Sequence, residues 1–430
     1  MLKAIKIRLY PNNEQEVYIS KLLGSYRFVY NQCLALKKEK YINEKISLNL
    51  KELGYYFHND LTKNPEYDWL KEHNTKVLKQ SILNLMESYK RFFVNGKGFP
   101  KFKSKHDNKH SCRFPSEAIS KRNNYLENRI TLTSEIKNIK FKCSDKYKGI
   151  LERNKNNIKS ATLSKSCSNN YFLSILIETN EVKILPKATN DIIGIDLGVK
   201  DFVIDSNGNR YPNLKSIRSN QKKISKLQRS MSRKKKGSNN RNKERIKLAK
   251  FYEKLTNIKE NYLHEVSNKL INENQVIVME NLNVKGMLKN HNLAKSIQEL
   301  SLNKFKTMLT YKTEWTGRIL IEVDRFFPSS KLCNCCGYKY KGLKLSERTW
   351  LCPECNTQHD RDLNAAINIR NEGKRILTST VTSNNKKQIG HRLSEFTLVD
   401  NPTMDDPTGN SLLKSSGWKK QEDEGLCNFV

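Results

Sequence analysis

The chain has 430 residues, and its 79 Lys and Arg residues against 44 Asp and Glu residues give a formal net charge of +35. Its hydrophobic fraction of 37% still allows packed cores, which excludes a chain that is disordered throughout, and no apolar run approaches the roughly 20 residues that span a bilayer. The charge therefore indicates that the chain binds a nucleic acid rather than a membrane, and that the charge does more than keep the surface soluble. Binding is favoured because each cation that neutralises a phosphate releases counterions.

The N-terminal half begins with a predicted strand. Residues 3–10 alternate apolar and basic side chains, the period of a half-buried strand. Two amphipathic helices follow. Their apolar stripes are Ile19, Leu22, Leu23, Tyr26, Val29, Tyr30 and Cys33, then Leu78, Ile82, Leu85, Met86, Tyr89 and Phe92. With strand-like segments near 129–142, 160–167 and 171–178, we predict a β domain (1–11 and 94–185) into which a helical block (12–93) is inserted.

The C-terminal half alternates strands and helices. Strands are predicted at IIGI before Asp196, at DFVID, at Val276–Met279 before Glu280, and at Ile319–Val323. A very basic stretch from Lys215 to Lys259 is predicted to form a helical hairpin that breaks at residues 237–240. We therefore expect an α/β domain over 186–326 and 359–375. Beyond it, residues 376–430 are expected to form a largely disordered tail.

Two cysteine pairs predict a metal site. Cys333 and Cys336 form one pair and Cys352 and Cys355 the other, with fifteen residues between the pairs, the spacing of a four-cysteine zinc ribbon over 327–358. Redox exchange is the weaker interpretation, because one pair would suffice for it. Cys335 leaves an alternative first pair open, although two-residue spacing favours Cys333 and Cys336. Four thiolates would close the ion's coordination, so the zinc would be structural.

The remaining cysteines are scattered singly along the chain. They are expected to be reduced thiols of a cytosolic protein rather than a disulfide framework. These residues are Cys33, Cys112, Cys143, Cys167 and Cys427.

Three acids are candidate catalytic residues. Asp196 and Glu280 each follow an apolar strand, and Asp362 begins a predicted helix after the cysteine pairs. Converging carboxylates suit two Mg²⁺ ions, which can activate water and stabilise the leaving oxygen of a phosphodiester. Solvated surface acids are the alternative, although an unpaired charge at the edge of a core is costly.

Six segments together resemble the TnpB (OrfB) proteins of insertion sequences, relatives of the type V CRISPR effectors. They are IKIRLYPNNEQEVYISKLLGSYRFVYN, KGFPKFKSK, GIDLGVKDFVIDSNG, VIVMENLNVKGM, SSKLCNCCG and WLCPECNTQHDRDLNAAINIRNEG. The resemblance implies a RuvC-like nuclease of the RNase H fold with an inserted zinc ribbon, preceded by a β-barrel wedge domain with a helical recognition insert. It assigns catalytic metal binding to Asp196, Glu280 and Asp362, and favours Asp362 over Asp360.

The resemblance also implies the partners. A guide RNA from the transposon end would pair with double-stranded target DNA beside a short flanking motif, in a monomeric ribonucleoprotein of the prokaryotic cytoplasm, near the nucleoid. Lys76 and Gln80 are candidates for reading that motif, since Gln can contact adenine bidentately. Candidate phosphate contacts are Arg229, Arg233, Lys234, Lys235 and Lys236. Solvated helix faces are the alternative for both sets.

The sequence is compatible with three functions. The leading one is an RNA-guided, Mg²⁺-dependent DNA endonuclease. A guide-directed DNA-binding repressor without cleavage is disfavoured because all three acids are present. An accessory transposase acting on transposon ends would share the metal chemistry, but the cysteine pairs between the second and third acids argue against it.

Overall fold

The computed structural model describes residues 1–107, 110–179, 190–344 and 346–382. The strands are β1 (Leu2–Tyr10), β2 (His110–Pro115), β3 (Arg129–Ile130), β4 (Ile139–Lys142), β5 (Ile158–Lys165), β6 (Tyr171–Glu178), β7 (Asn190–Asp196), β8 (Asp201–Asp205), β9 (Arg210–Pro212), β10 (Asn274–Glu280), β11 (Ile319–Val323), β12 (Thr349–Leu351) and β13 (Gln358–Asp360). The helices are α1 (Asn13–Glu44), α2 (Leu50–Tyr56), α3 (Thr75–Asn95), α4 (Asp145–Arg153), α5 (Ser216–Ser219), α6 (Gln221–Ser232), α7 (Asn239–Glu273), α8 (Val284–Met287), α9 (His291–Leu300), α10 (Leu302–Thr316) and α11 (Arg361–Thr382). Over the described ranges, no helix has the length and apolar character that crossing a membrane requires.

Two compact units make up the fold. The first contains the described residues up to 179 together with Lys226–Glu253. Its six strands pair in the order β2-β5-β6-β1-β4-β3, all antiparallel. The prediction that the first strand joins the strands after residue 129 is confirmed. The described pairs leave β2 and β3 at the two edges, so closure into a barrel stays a prediction.

Helices α1 and α3 pack on the core of the first unit, as their stripes predict. Asn12 begins α1 with a capping box, in which its side chain accepts from the Gln15 backbone N–H (2.8 Å) and the Gln15 side chain accepts from the Asn12 N–H (3.0 Å). The stripe residues are buried, apart from Met86 and Phe92, which are half-buried. The domain bounds predicted from the sequence stay predictions.

The predicted helical hairpin forms between α6 and α7, and its tip belongs to the first unit. The Glu253 carboxylate accepts hydrogen bonds from the Asn170 side chain (3.0 and 3.1 Å) and from the Ser168 hydroxyl. Arg245 donates to the carbonyl of Cys167 at 3.2 Å. These contacts join the hairpin to the turn between β5 and β6.

The second unit contains the described residues from 190 to Ser225 and from Lys254 onward. Its five-stranded mixed sheet has the order β11-β10-β7-β8-β9. Strands β7, β10 and β11 are parallel, and β8 and β9 continue the sheet antiparallel. Strands β12 and β13 form a separate antiparallel pair. This half of the chain therefore has the predicted alternation of strands and helices.

Helix α11 lies against the sheet of the second unit at very short range. A Cβ atom on Gly194 of β7 would overlap the Ala366 carbonyl oxygen and lie 2.5 Å from the Arg370 nitrogen. A Cβ atom on Gly373 of α11 would overlap the Val278 side chain of β10. Two glycines thus permit the backbone of α11 to approach both strands.

Helix α11 also continues past the predicted start of the tail. It ends at Thr382, and Leu377 is buried in a cluster with Val276, Val278 and Ile369. Apolar burial therefore extends the helix beyond residue 375. The rest of the predicted tail, 383–430, lies outside the described residues, as does Cys427.

The contact between α11 and β7 predicts a steric effect on stability. We expect Gly194→Ala to lower the free energy of unfolding by about 3 kcal/mol, because the added methyl group meets backbone that cannot move independently. Gly24→Ala in α1 is the matched control, since its Cβ would have no atom within 4 Å and the change should stabilise by about 0.5–1 kcal/mol. Thermal denaturation of both variants measures this, and equal melting temperatures would contradict the packing.

Candidate active site and metal centre

The three candidate acids lie at one edge of the sheet in the second unit. Asp196 ends β7 and Glu280 ends β10, and the neighbouring pair Ile195 and Met279 is in register. Because β7 and β10 are parallel, both carboxylates leave the sheet at its carboxyl edge, where α/β proteins place their ligands. Asp362 lies in the first turn of α11, which packs on the same two strands.

The charges of Glu280 and Asp362 both act on Asp196. Burial raises the pKa of Asp196 most, and the charges of Glu280 and Asp362 raise it further, to about 7, although Arg361 opposes them. Burial also raises the pKa of Glu280, against a hydrogen bond from the Ser329 hydroxyl that lowers it. Like charges held together in this way favour a cation, and carboxylate oxygens suit a hard divalent ion.

Asp360 and Asp362 have different roles in the same motif. Asp360 caps α11, because one of its carboxylate oxygens accepts the backbone N–H groups of Asp362 (3.1 Å) and Leu363 (3.0 Å). Burial would raise the pKa of Asp360, but these bonds and the Arg210 guanidinium at 2.9 Å hold it below its usual value. The charge of Asp362 instead acts on Asp196, and Arg348 donates to both oxygens of Asp362 at 3.1 and 3.2 Å.

Two buried amides on α11 are site residues that the sequence reasoning missed. Asn368 donates to the carbonyls of Ser329 (2.8 Å) and Leu332 (2.6 Å). Asn364 donates to Leu332 (2.7 Å) and accepts from the Asn334 backbone (3.1 Å). They fix the segment that carries Ser329, the residue that hydrogen-bonds Glu280. The sequence signal that could have identified them is the occurrence of two asparagines four residues apart within an apolar helical stripe, since such residues lie on the same helix face.

The four predicted cysteine ligands converge. The Sγ atoms of Cys333, Cys336, Cys352 and Cys355 all lie within 4.8 Å of one another, and two of the pairs are 3.6 Å apart. This group could hold a metal ion such as zinc. A second possible group contains Cys333, Cys335 and His359, but it shares Cys333 with the first and supplies only three ligands. Four sulfur ligands complete a tetrahedron, which favours the first group.

The pKa values of two of these four thiols shift in opposite directions. Hydrogen bonds with the hydroxyl and backbone of Thr357 lower the pKa of Cys355 to about 6, which favours the thiolate that binds metal. A backbone hydrogen bond from Tyr338 would lower the pKa of Cys336, but burial and the neighbouring thiols raise it to about 12. A bound ion would allow all four to deprotonate. Of the other described cysteines, Cys33, Cys112 and Cys335 have free thiols.

The candidate nucleic-acid contacts are all on the surface of the first unit. Lys76 is exposed and Gln80 half-buried on α3. The candidate cations of the hairpin are exposed, and they are Arg229, Arg233, Lys234, Lys235 and Lys236. No geometry among them singles out a ligand, so these assignments stay predictions.

Three family models match the chain. One described as "Probable transposase" (OrfB_IS605) matches residues 174–291, a Cas12f1-like TNB domain matches 303–369, and a helix-turn-helix domain of OrfB_IS605 proteins matches 1–45. In the structure, residues 1–45 contain strand β1 and the single helix α1 rather than two helices joined by a turn.

Among relatives, a Streptomyces pristinaespiralis protein named "Putative RNA-guided DNA endonuclease" is 33% identical over 85% of this chain and 88% of its own length. The chain belongs to the TnpB (OrfB) family. InsQ of Escherichia coli strain K12, with the same description, is 28% identical over 87% of this chain and 93% of its own length. The family predicted from the sequence motifs is thus confirmed.

Solved structures agree at the level of the fold. A Cas12f1–sgRNA–target DNA complex contains a chain with a TM-score of 0.54 and 15% identity, covering 87% of this chain and 99% of that chain. The mini-RNA-guided endonuclease CRISPR-Cas_phi3 has a TM-score of 0.51 and 11% identity, and the match covers 86% of this chain and 92% of that chain. This TnpB family member therefore shares the fold of these compact nucleases.

The raised pKa of Asp196 predicts a pH-dependent stability. A carboxyl group whose pKa is higher in the folded state holds its proton there, so folding is favoured at low pH and stability falls as pH rises from about 4 to about 7. We expect Asp196→Asn to remove this fall in buffer without added divalent metal. Asp360→Asn should retain it, since the pKa of Asp360 is shifted the other way. Denaturation across pH 4.5–8 measures the difference, and parallel curves for wild type and Asp196→Asn would contradict the assignment.

Proposed function

We propose that this chain is an RNA-guided DNA endonuclease that cuts target DNA beside a short flanking motif. The observation that carries the proposal is that Glu280 and Asp362 both act electrostatically on Asp196 at the carboxyl edge of a mixed sheet, in a chain whose relatives are named as such endonucleases. The net charge of +35 supports binding of the several phosphate backbones that guide and target present.

Asp196, Glu280 and Asp362 would hold two Mg²⁺ ions in this proposal. The ions would supply an activated water and stabilise the leaving oxygen of the phosphodiester. Ser329 donates to Glu280 and orients its carboxylate. Arg348 contacts Asp362 and restrains it in the first turn of α11. Rigid support of this kind matters because displaced ligands lose metal affinity.

At finer detail, we propose a RuvC-like nuclease domain of the RNase H fold with the four-cysteine segment as an inserted zinc ribbon. The antiparallel sheet of the first unit would be the β-barrel wedge domain, and the helices within 12–93 the recognition insert. The protein would act as a monomeric ribonucleoprotein in the cytoplasm, near the nucleoid, with its guide transcribed from the transposon end. Lys76 and Gln80 remain candidates for reading the flanking motif.

The test of catalysis is isosteric removal of each acid. Asp196→Asn, Glu280→Gln and Asp362→Asn should each lower the rate of DNA cleavage by more than about 100-fold, because even the outer partners of metal ligands are worth 10–100-fold. Binding of guide and target should persist, since it depends on cations elsewhere. Cleavage of a plasmid target and a gel-shift assay measure the two quantities.

Asp360→Asn is the matched control for these variants. Asparagine retains a capping oxygen, so the helix and the cleavage rate should both survive. Undiminished cutting by any one of the three acid variants would remove that residue from the site.

Sequencing of RNA that copurifies with the protein tests the guide. Enrichment of transcripts from a transposon end is expected, and its absence would remove RNA guidance while leaving the nuclease intact. Guided binding without cleavage in wild type would instead support the repressor. Strand joining at transposon ends would support the accessory transposase.

The group of four cysteines predicts one structural zinc ion for each chain. Cys352→Ser should lose the zinc and lower the melting temperature, because a structural ion contributes directly to folding free energy. Cys335→Ser is the control, since Cys335 lies outside the four-sulfur group, and it should retain both. Elemental analysis and thermal denaturation measure the two effects. Zinc loss in Cys335→Ser alone would favour the alternative ligand group.

A further inference from the structure

Exposed aromatic rings and lysines form one surface on the first unit that the proposed catalytic mechanism does not use. We define this aromatic–lysine surface as Phe93, Phe99 and Phe102 with Lys38 and the basic residues of 88–106. Phe93, Phe99 and Phe102 expose 74%, 42% and 53% of their areas, and neighbouring Val94 exposes 71%. Clusters of exposed apolar side chains on soluble proteins usually mark binding sites.

The rings are held in contact with one another. Phe92 packs edge-on against Phe93 (5.0 Å between ring centroids) and Phe99 (5.3 Å). Tyr89 stacks near Phe93 at 6.4 Å and meets Phe99 edge-on at 5.4 Å. Tyr89 is itself buried, so the platform is continuous with the core of the unit.

The segment after α3 is fixed to α1. The Asn31 side chain donates to the Lys103 carbonyl and accepts from the Lys103 N–H, both at 2.9 Å. The Lys103 ammonium lies 3.9 Å from the Tyr30 ring centroid, and Pro100 is buried. The exposed rings therefore stand on anchored backbone, which lowers the entropy lost when a ligand binds them.

Positive charge surrounds these rings. The Lys38 ammonium lies 5.3 Å from the Phe99 centroid and 4.8 Å from the Phe102 centroid. Between Glu87 and Asp107 the chain has six cations, Lys90, Arg91, Lys97, Lys101, Lys103 and Lys105. Arg91 is paired with Glu87 at 3.3 Å, which leaves five lysines. Rings with adjacent ammonium groups can bind both parts of a nucleotide, because the base can stack on a ring while an ammonium group neutralises the phosphate.

We propose that the aromatic–lysine surface binds an unpaired segment of the guide RNA, whose bases stack on Phe93, Phe99 and Phe102. This inference rests on the proposed function. A DNA duplex offers only base edges and phosphates, so it would leave the ring faces unused. RNA is recognised mainly at single-stranded loops and bulges, whose bases stack on aromatic rings. The charge disfavours an apolar partner protein, since such an interface is depleted of lysine.

The experiment compares two double variants of the full-length chain for binding to the RNA that copurifies with wild type. Phe93→Leu with Phe102→Leu removes the rings but keeps apolar side chains, whereas Phe93→Tyr with Phe102→Tyr keeps the rings. We expect the leucine pair to weaken RNA binding about tenfold or more, and the tyrosine pair to bind like wild type.

Salt dependence separates stacking from charge. The leucine pair should bind more weakly at every salt concentration with an unchanged slope of log Kd against log salt. Lys38→Gln should instead lower the slope by about 0.7, the value for one contact to a single-stranded phosphate. Ultraviolet cross-linking followed by mass spectrometry should place RNA nucleotides on the three phenylalanines.

Specific outcomes would overturn the assignment. Wild-type affinity of the leucine pair would remove this surface from RNA binding, whereas a wild-type chain that binds no RNA would remove the guide itself. Cross-links that form only after target DNA is added would assign the surface to a DNA strand. Self-association of the RNA-free chain that Phe93→Ser abolishes would assign it to a second copy.

Discussion

The close approach of helix α11 to strands β7 and β10 is the contact on which the candidate site depends. Gly194 and Gly373 leave no Cβ in the way, and Ile369 and Leu377 add apolar burial against the sheet. This packing stabilises an arrangement that electrostatics opposes, because it brings Asp362 toward two other carboxylates and helps raise the pKa of Asp196 to about 7. Hydrophobic burial therefore holds Asp362 close enough to Asp196 for its charge to favour the protonated form of Asp196.

The same helix links the carboxylates to the cysteine group. Asn364 and Asn368 fix the backbone of residues 329–334, and this short segment contacts Glu280 at one end and reaches Cys333 near the other. Loss of a metal at the sulfur atoms would therefore release one anchor of the residue that orients Glu280. That coupling gives a physical reason for placing the cysteine pairs between the second and third acids in the chain.

The sequence predicted those features that repeat or have a fixed spacing. Period-2 alternation gave β1, helical stripes gave α1 and α3, and the cysteine spacing identified the four sulfur atoms that converge. It could not distinguish Asp360 from Asp362 on physical grounds, because the difference is a capping hydrogen bond that exists only once α11 begins at Arg361. Nor could it join Glu253 to Asn170, since such contacts depend on tertiary placement rather than local pattern.

The charge distribution makes binding and cleavage separable. Most of the chain is basic and attracts phosphates whether or not a divalent ion is present, since that attraction needs only lysine and arginine. The three acids do the opposite, because their combined negative charge repels a phosphodiester at close range. In the proposed mechanism, a scissile phosphate would therefore approach Asp196, Glu280 and Asp362 only after divalent ions reverse the local charge. Metal would thus control cleavage within a complex that the cations of the surface have already formed.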